Sequence, residues 1–579
     1  MRSKQKFKYG LIIYGLIISF YLIIIFRLIH IQVFGDTEIS KVDGKIYKQV
    51  IENELNTNRI FKPIRGNIYT RNNKLLATTV YRYKIFIDGS KIKNSDDKHE
   101  IMNVLFNNFK IDQQKIRNKI KREDKYIIIG RRVRDKKIKD FLKNLIANGV
   151  KPSFIKNEID ESELIIFQKY LKKIGIHCNK NDPVRVYPMG KLGSHVVGYL
   201  NYAGQGIGIE AEFDEFLEGE KSSDLNDLPL DGGDIYLTID SNIQYFVEKA
   251  IKKGYKNYQP NAVSAVVLNP KTGDILSMAN YPTYDPNYFY RVKDSSSLIN
   301  KAIAHSFEPG STFKLVTLSG AFEEKLISKN MQIDCNNGVI KYEGETIRDT
   351  LNNKILSLSE VFEKSSNVGA VKIADMMGKE DLYYYTKLFG FTENKTVALS
   401  NESKAYVRSP DKWAPSELAN FSIGYGLATN LLRLTNSYAV VANSGKLMET
   451  HIISKIKRNN KVSEISPLEI RRVLDKETAK KVTDILVNVV DNGSAYRTRM
   501  KNLKIAGKTG TAIVFNRKEQ KYKKDEYIGT FVGYFPAYNP KYVIGIMVNK
   551  PKTKGYASKF AVPIFKEIAD DLVVYGGVE

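Results

Sequence analysis

The chain has 579 residues, 42% of them hydrophobic and 11% aromatic, and a net charge of +26. This length predicts two or three domains, and this apolar content excludes a disordered chain. Lysine and arginine are spread from Lys4 to Lys566 without a motif that reads nucleic acid, so no nucleic-acid partner is expected. Solvated basic faces explain the charge, with attraction to an anionic membrane or wall polymer as the alternative.

The N-terminus predicts a membrane anchor. Tyr9–Phe26 is a run of 18 uncharged, mostly apolar residues, which as a helix would span about 27 Å of a hydrocarbon core of about 30 Å. Four basic residues precede the run, and the positive-inside rule then places the N-terminus in the cytoplasm. A cleaved signal peptide is the weaker alternative because the first alanine is Ala77. We therefore expect residues 1–34 to form a cytoplasmic tail and a single-pass anchor in the cytoplasmic membrane.

Residues 35–225 are predicted to form an extracytoplasmic mixed α/β domain that contains no set of catalytic residues. Strand-like runs occur at Tyr83–Asp88 and Tyr126–Gly130. Helical periodicity occurs at Gln114–Arg122 and Ser162–Ile174.

The segment Glu220–Asp234 is rich in Ser, Asp, Pro and Gly and predicts a linker to a second domain over residues 226–579. Strand patterns in this domain fall at Ile235–Ile239, Ala262–Asn269, Asp274–Ala279, Tyr527–Phe535 and Lys541–Asn549. A helix capped by Asp240 or Ser241 follows the first strand. Strands at both ends with helices between them indicate an α+β domain in which helices pack on an antiparallel sheet.

The two cysteines, Cys178 and Cys335, lie in different predicted domains. They form no CxxC pair and no metal-ligand spacing with the six histidines, so no metal site is expected. Unpaired structural thiols are the default interpretation, and a disulfide between them stays open.

Ser311 and Lys314 form the first constellation that carries chemistry. Pro309-Gly310 predicts a turn, and the apolar periodicity that follows predicts a helix beginning at Ser311, which places Ser311 and Lys314 on one face, one turn apart. A lysine can take the proton of a serine hydroxyl only when its pKa falls from about 10.4 to roughly 7–8, at a cost on the order of 4 kcal/mol. Such a shift requires a desolvated site with a second cation nearby. By itself the S-x-x-K motif is weak evidence for a catalytic site, because a lysine-rich chain contains several such motifs by chance.

Two further constellations supply what such a pair needs. Ser365-Ser366-Asn367 offers a proton relay and an amide, although an isolated S-x-N is more often a capped turn. The segment Lys508-Thr509-Gly510-Thr511 predicts a strand whose glycine lets the backbone approach a ligand closely. It also provides hydroxyl groups and a second cation, Lys508, that would depress the pKa of Lys314.

In the order S-x-x-K, S-x-N, K-T-G, these constellations match the serine acyl-enzyme set, and the chain resembles a class B penicillin-binding protein. Further segments similar to this family are Arg65–Tyr69, Arg185–Pro188, His195–Tyr199, Gly206–Leu217, Asn269–Ser277, Ser422–Gly426 and Phe531–Pro536. The chain departs from the family pattern at Thr70, Asn73 and Asn430. Glu308 before Pro-Gly-Ser is more similar to division-type, FtsI-like members than to elongation-type members.

The resemblance implies a serine β-lactamase-like domain that acts as a peptidoglycan D,D-transpeptidase without a cofactor. Ser311 would be the nucleophile and Lys314 its general base, with Ser365 and Lys508 relaying protons. The resemblance further implies an oxyanion site formed by the N–H groups of Ser311 and Thr511. The substrate-binding residues would be Asn367 for the amide, Thr509 and Thr511 for the carboxylate, and Gly510 in the strand between them.

The same resemblance implies the partners. Stem peptides of peptidoglycan would be the substrate, β-lactams would be covalent inhibitors, and residues 35–225 would form a pedestal or dimerisation-like domain. This domain would contact a polytopic glycosyltransferase and other division proteins at the membrane. The alternatives are an elongation-type transpeptidase, a relative that hydrolyses or senses β-lactams, and a non-catalytic division scaffold.

Overall fold

A computed structural model describes residues 63–152, 155, 161–201, 203–220, 230–516 and 521–578. The predicted anchor at residues 1–34, the start of the pedestal and most of the predicted linker lie outside the described residues. Within the described ranges, no helix combines the length and the apolar character that a membrane crossing requires.

The N-terminal part is a small sheet covered by helices. Its strands are β1 (Ile68–Tyr69), β2 (Leu75–Ile87), β3 (Ile127–Val133) and β4 (Ile176–Val186). Its helices are α1 (Gly89–Lys93), α2 (Lys98–Asn108), α3 (Gln113–Lys121), α4 (Asp135–Ala147) and α5 (Glu161–Lys173). The predicted strands and helices of this region are present. Both helices begin and end one residue before their predicted ends, β3 extends three residues further, and β2 begins at Leu75, eight residues before the predicted start at Tyr83. In α4 the buried residues recur at helical spacing, from Ile138 through Phe141 and Leu142 to Leu145, and this face closes the local core.

Short elements follow and end the N-terminal part. They are α6 (Ser194–Val197), β5 (Tyr199–Leu200), β6 (Gly206–Ile207), α7 (Ile209–Glu212) and α8 (Asp214–Glu218). Here three of the family-like segments meet at one buried carboxylate. Glu210 is completely buried and accepts from Arg65 Nε at 2.9 Å and from Arg185 Nε at 2.6 Å. Arg185 Nη1 also donates to the Gly66 carbonyl at 2.7 Å. This ion-pair network therefore connects the first described residues of the N-terminal part to its last short helices.

The C-terminal part contains the remaining elements. Its strands are β7 (Asp234–Leu237), β8 (Ala262–Leu268), β9 (Ile275–Tyr281), β10 (Gln332–Asp334), β11 (Val339–Tyr342), β12 (Glu345–Arg348), β13 (Ile355–Ser357), β14 (Lys446–Met448), β15 (Ile453–Arg458), β16 (Lys461–Glu464), β17 (Glu469–Arg472), β18 (Ala506–Asn516), β19 (Lys521–Phe535) and β20 (Tyr542–Asn549). Its helices are α9 (Ser241–Tyr258), α10 (Lys301–Ala304), α11 (Lys314–Glu323), α12 (Leu358–Glu363), α13 (Asn367–Leu388), α14 (Glu417–Ser422), α15 (Leu431–Ala442), α16 (Lys476–Asp491) and α17 (Ala557–Gly576).

The antiparallel sheet predicted for this part is confirmed, with helices on both faces. Its strand order is β18-β19-β20-β8-β9. Strand β8 is buried on both sides: Val263, Ala265 and Val267 pack in the core that includes α9 and α17, whereas Val266 and Leu268 pack in the core that includes α11 and α15. The Asp240 side chain caps α9 by accepting from the N–H groups of Asn242 and Ile243, as one of the two predicted capping choices requires.

A second sheet crosses the predicted domain boundary at residue 225. Its order is β16-β15-β7-β1-β2-β3, with β4 also paired to β2, and β1 runs parallel to β7. Strands from both parts of the chain therefore share one ladder of backbone hydrogen bonds, and residues 64–219 and 231–579 form one compact unit. The linker-like composition around residue 225 did not indicate this pairing.

Glu210→Ala should lower the free energy of unfolding by about 3–5 kcal/mol, because it leaves two largely buried guanidinium groups without their carboxylate. Chemical denaturation of the purified chain measures this loss. Asp214→Ala is the matched control, since the side chain of Asp214 is 42% exposed and pairs with the same Arg65; it should cost less than about 1 kcal/mol. Equal effects of the two variants would contradict the assignment of Glu210 as the centre of the network.

Candidate active site

Ser311 lies in a tight turn rather than inside the helix that was expected to begin with it. Residues Gly310–Thr312 form a 3₁₀ turn, and α11 begins at Lys314. A buried tyrosine stabilises the turn, because Tyr438 Oη donates to the Thr312 carbonyl at 2.8 Å. The half-buried Ser311 and the completely buried Lys314 thus stand one turn apart at the N-terminus of a buried helix.

The side chain of Lys314 joins the first constellation to the second. Its Nζ lies within hydrogen-bond distance of three acceptors: the Ser365 carbonyl at 2.8 Å, the Ser366 carbonyl at 3.1 Å and Asn367 Oδ1 at 2.8 Å. It also lies 3.5 Å from Ser365 Oγ. These contacts fix the amine against the Ser365–Asn367 turn, where a flexible lysine would otherwise sample many rotamers.

The turn that receives Lys314 has an unusual backbone. Ser365 adopts φ +55°, in the left-handed region that costs a non-glycine residue about 1–2 kcal/mol. Ser366 then caps α13 by accepting from the Gly369 N–H. A residue held in such a conformation points to a functional demand on its position, and here the bend directs the Ser365 hydroxyl at both lysines.

Asp349 supports this turn and was missed by the sequence reasoning. Its carboxylate accepts from Ser366 Oγ at 2.7 Å and from the N–H groups of Asn367 at 2.6 Å and Val368 at 2.9 Å. Anions are favoured at a helix N-terminus, which is where this carboxylate sits relative to α13. No sequence signal marks Asp349, because it follows β12 and reaches the turn only through the fold.

Lys508 brings the third constellation to the same hydroxyl. Its Nζ donates to Ser365 Oγ at 3.0 Å and to the Thr509 carbonyl at 3.2 Å. Strand β18 can lie against the turn Gly310–Thr312 only because residue 510 is glycine: a Cβ there would stand 2.8 Å from the Pro309 carbonyl oxygen and 2.9 Å from Thr312 Cγ2. The three constellations therefore meet in one place, with Ser365 at the junction.

Burial dominates the electrostatics of the two lysines. Desolvation, with Lys508 as the second cause, holds the pKa of Lys314 well below its ordinary value, while Asp349 opposes the shift. Burial lowers the pKa of Lys508 to about 7. Both causes that the sequence required, a desolvated site and Lys508 as a second cation, are present, and the removal of Lys314 from water is the larger of the two.

The predicted substrate-binding residues lie along β18, with their hydroxyls already engaged. Thr509 Oγ1 shares a hydrogen bond of 2.7 Å with Ser494 Oγ, a second residue that the sequence reasoning missed. Thr511 Oγ1 accepts from the Ala557 N–H at 3.1 Å. The Asn367 side chain spans from Lys314 Nζ to the Arg348 carbonyl. The second lone pair of its Oδ1 and the second N–H of its Nδ2 are left for a substrate amide.

The Ser422–Gly426 loop packs against the turn Gly310–Thr312. A Cβ at Gly424 would stand 2.1 Å from the Gly310 carbonyl oxygen, and Gly424 has φ +88°. Glu308 accepts from the Gly426 N–H at 2.9 Å, and burial raises its pKa. Loop and turn are thus locked together by one backbone approach and one carboxylate.

Comparisons with known proteins agree with this geometry. A family model described as the penicillin binding protein transpeptidase domain matches residues 263–570, and a model of the penicillin-binding protein dimerisation domain matches residues 60–226. The chain belongs to the class B penicillin-binding proteins.

Relatives of this class B penicillin-binding protein align along most of its length. It is 27% identical to stage V sporulation protein D of Bacillus subtilis, over 96% of this chain and 86% of that protein. It is 27% identical to PenA of Neisseria meningitidis, named a probable peptidoglycan D,D-transpeptidase, over 92% of this chain and 87% of the relative. The crystal structure of penicillin-binding protein 3 from Mycobacterium tuberculosis in complex with aztreonam is similar with a TM-score of 0.68 and 28% identity, covering 89% of this chain and 97% of that chain.

Asp349→Asn should slow acylation by a β-lactam about ten- to a hundredfold, because hydrogen bonds to a charged acceptor contribute about 1.5–3 kcal/mol. The rate constant of labelling by a fluorescent penicillin measures this effect, with the melting temperature as the check on folding. Asp334→Asn is the control: Asp334 is exposed and accepts from one backbone N–H, that of Asn336. Unchanged acylation in Asp349→Asn would show that Asp349 does not position the turn.

Proposed function

We propose that this class B penicillin-binding protein is a peptidoglycan D,D-transpeptidase that works through an acyl-enzyme on Ser311. The observation that carries the proposal is the convergence of Lys314 and Lys508 on the hydroxyl of Ser365, beside the turn that presents Ser311. A serine nucleophile, two amines of depressed pKa and a hydroxyl relay are the parts that serine acyl transfer requires.

In the first half-reaction, Ser311 Oγ attacks the carbonyl carbon of the penultimate D-Ala of a stem pentapeptide. Neutral Lys314 takes the hydroxyl proton as the new C–O bond forms. The N–H groups of Ser311 and Thr511 stabilise the developing oxyanion. As the C–N bond breaks, the proton passes from Lys314 through Ser365 to the amine of the terminal D-Ala, which leaves.

In the second half-reaction, an amine of a neighbouring stem peptide attacks the acyl-enzyme carbonyl. Its proton returns through Ser365 and the lysines to Ser311 Oγ, while the ester C–O bond breaks and the cross-linking amide remains. Before acylation, Lys508 and the hydroxyls of Thr509 and Thr511 hold the carboxylate of the terminal D-Ala, and Asn367 holds the substrate amide. The lysine amines and Ser365 therefore transfer one proton in each half-reaction, and the reaction requires no cofactor.

β-Lactams would acylate Ser311 as mimics of the D-Ala-D-Ala end. This extension is supported by the similarity to the penicillin-binding protein 3 structures in complex with aztreonam and with ampicillin. A β-lactam hydrolase is the second candidate. It would need a base positioned for the deacylating water, and the lifetime of the β-lactam adduct decides between the two candidates.

Ser311→Ala should abolish covalent labelling by a fluorescent penicillin, because it removes the atom that forms the ester bond. Gel fluorescence of the purified chain is the measurement, and Ser296→Ala, at an exposed serine of the same domain, is the matched control that should label normally. Labelling that persists in Ser311→Ala would refute the nucleophile. An adduct of the unaltered chain that turns over within seconds would favour the hydrolase over the transpeptidase.

The rate of acylation should show a bell-shaped pH dependence. Falling pH protonates Lys314 and removes the base, so the rate falls on the acid side. Rising pH deprotonates Lys508, whose pKa is about 7, and removes the cation that holds the substrate carboxylate, so the rate falls again above neutrality. The measurement is the second-order rate constant of penicillin labelling against pH.

Lys508→Arg tests the assignment of the alkaline limb, because arginine stays protonated throughout this range. The rate of the variant should stay flat from about pH 7 to pH 9, whatever its absolute value. An alkaline limb that is unchanged in Lys508→Arg would remove Lys508 from this role.

We further propose that the chain is a single-pass protein of the cytoplasmic membrane that acts in septal wall synthesis. Support comes from the apolar run Tyr9–Phe26 and from the division-like Glu308. The N-terminal part would contact a polytopic glycosyltransferase and other division proteins.

Deletion of residues 1–34 should move the chain from the membrane fraction to the soluble fraction, since it removes the apolar run. A copy with a fluorescent tag at its cytoplasmic N-terminus should concentrate at the septum during division. Uniform lateral-wall fluorescence would favour the elongation-type alternative, and membrane retention after the deletion would contradict the anchor.

A further inference from the structure

A cleft of about 500 Å³ is lined by residues of α9, of the end of β9 and of the turn before α6. Of the twelve described residues that line it, five are lysines and one, Glu248, is acidic. We call it the lysine cleft, and its lysines are Lys191, Lys249, Lys252, Lys253 and Lys256. None of the catalytic residues proposed above is among these lining residues, so the cleft is separate from the site of acyl transfer.

Four of the lysines lie on one face of α9, because their positions follow the spacing of three and four residues. Like charges at this spacing repel one another and destabilise a helix. The ammonium groups of Lys249 and Lys253 are compensated, since they pair with carboxylates of α17 at 2.9 Å and 3.0 Å. Lys252 and Lys256 are exposed and have no acidic partner within the described chain.

The fifth lysine, Lys191, comes from the N-terminal part. Two contacts fix the turn before α6 beside α9: the Gly193 N–H donates to Glu248 Oε1 at 2.8 Å, and the hydroxyls of Ser194 and Thr283 lie 3.0 Å apart. Lys191 is exposed and, among the residues that the structure describes, has no ion-pair partner either. Three unpaired and accessible ammonium groups, from two distant segments of the chain, therefore line one cavity.

Glu248 does not neutralise these groups. Its Oε1 accepts from the Gly193 N–H and from Gln244 Nε2, the latter at 2.9 Å. Burial raises the pKa of Glu248 to about 7, so its carboxylate is only partly ionised near neutrality. Even with Glu248 ionised and two lysines paired, the lining keeps a net positive charge.

We propose that the lysine cleft binds an anion that carries several phosphate groups in one chain. A lysine ammonium binds phosphate as a point charge. Three unpaired ammonium groups exceed the charge of one carboxylate or one phosphodiester group, whereas linked phosphates supply an acceptor for each lysine. Lys252 and Lys256 lie about 6 Å apart along the helix axis, so the charges extend along the cleft. A flat bilayer surface fits less well, because it contacts protruding residues rather than the lining of a cavity.

Inorganic tripolyphosphate is the probe, titrated into the detergent-solubilised full chain at about pH 8 and followed by isothermal titration calorimetry. It should bind with one-to-one stoichiometry. Inorganic phosphate should bind at least about tenfold more weakly, because linked phosphates make every contact after the first intramolecular. Equal affinities for the two anions would overturn the assignment of a phosphate chain as the ligand.

Two triple variants separate the cleft from the general charge of the chain. Lys191→Gln, Lys252→Gln and Lys256→Gln together should weaken tripolyphosphate binding about ten- to a hundredfold, as expected for the loss of contacts between charged groups. The matched control removes the same charge from one exposed face of α4, outside the cleft, with Lys136→Gln, Lys139→Gln and Lys143→Gln. All six side chains are exposed, so both variants should keep the melting temperature of the unaltered chain.

Glu248→Gln should change binding in the opposite direction. At about pH 8 the carboxylate is mostly ionised, and its removal should strengthen tripolyphosphate binding about threefold by taking one negative charge from the lining. The side-chain carbonyl oxygen of a glutamine can keep both hydrogen bonds that Oε1 accepts. Unchanged or weaker binding in Glu248→Gln would contradict a position of the anion in this cleft.

The outcomes also distinguish the alternatives. Equal losses of affinity in the two triple variants would show that tripolyphosphate responds only to the net charge of +26, and the site would be refuted. The absence of binding to the unaltered chain would refute it as well. Dihexanoylphosphatidylglycerol is the second ligand to be titrated. If this short-chain lipid binds more tightly than tripolyphosphate and loses affinity only in the cleft variant, the cleft is a lipid headgroup site and a phosphate chain is not its ligand.

Discussion

The burial of two lysine amines around one serine hydroxyl is the constraint on which the rest of the structure depends. Lys314 and Lys508 are both essentially inaccessible to solvent, and their Nζ atoms lie 3.5 Å and 3.0 Å from Ser365 Oγ. A fall in the pKa of Lys508 to about 7 corresponds to on the order of 5 kcal/mol of lost stabilisation of its charged form. The fold sustains this cost because helices pack on both faces of the antiparallel sheet and exclude water from the two side chains.

Several contacts hold Lys314 and Lys508 in place around Ser365. The left-handed Ser365, the carboxylate of Asp349 and the cap of α13 fix the acceptor turn from one side. Gly510 lets β18 pack against the turn Gly310–Thr312. A site whose groups are ordered before substrate arrives needs little reorganisation during the reaction, and this is how electrostatic preorganisation lowers a barrier.

The N-terminal part is more than an attached spacer. Its strand β1 pairs with β7 of the C-terminal part, and Glu210 joins its first and last family-like segments. The pairing of β1 with β7 therefore joins the two parts of the chain in one sheet and one compact unit.

The sequence by itself determined the family, the three constellations and most element positions, because these are local signals. Spacing of one helical turn relates Ser311 to Lys314, glycine and threonine mark β18, and apolar periodicity marks the helices. Only the tertiary structure showed Asp349, Ser494 and the sheet that crosses residue 225. It also showed that the expected desolvation of Lys314 outweighs Lys508 in lowering its pKa. Each of these depends on residues far apart in the chain meeting in space, and desolvation belongs to the packed environment rather than to any residue, so no local pattern encodes it.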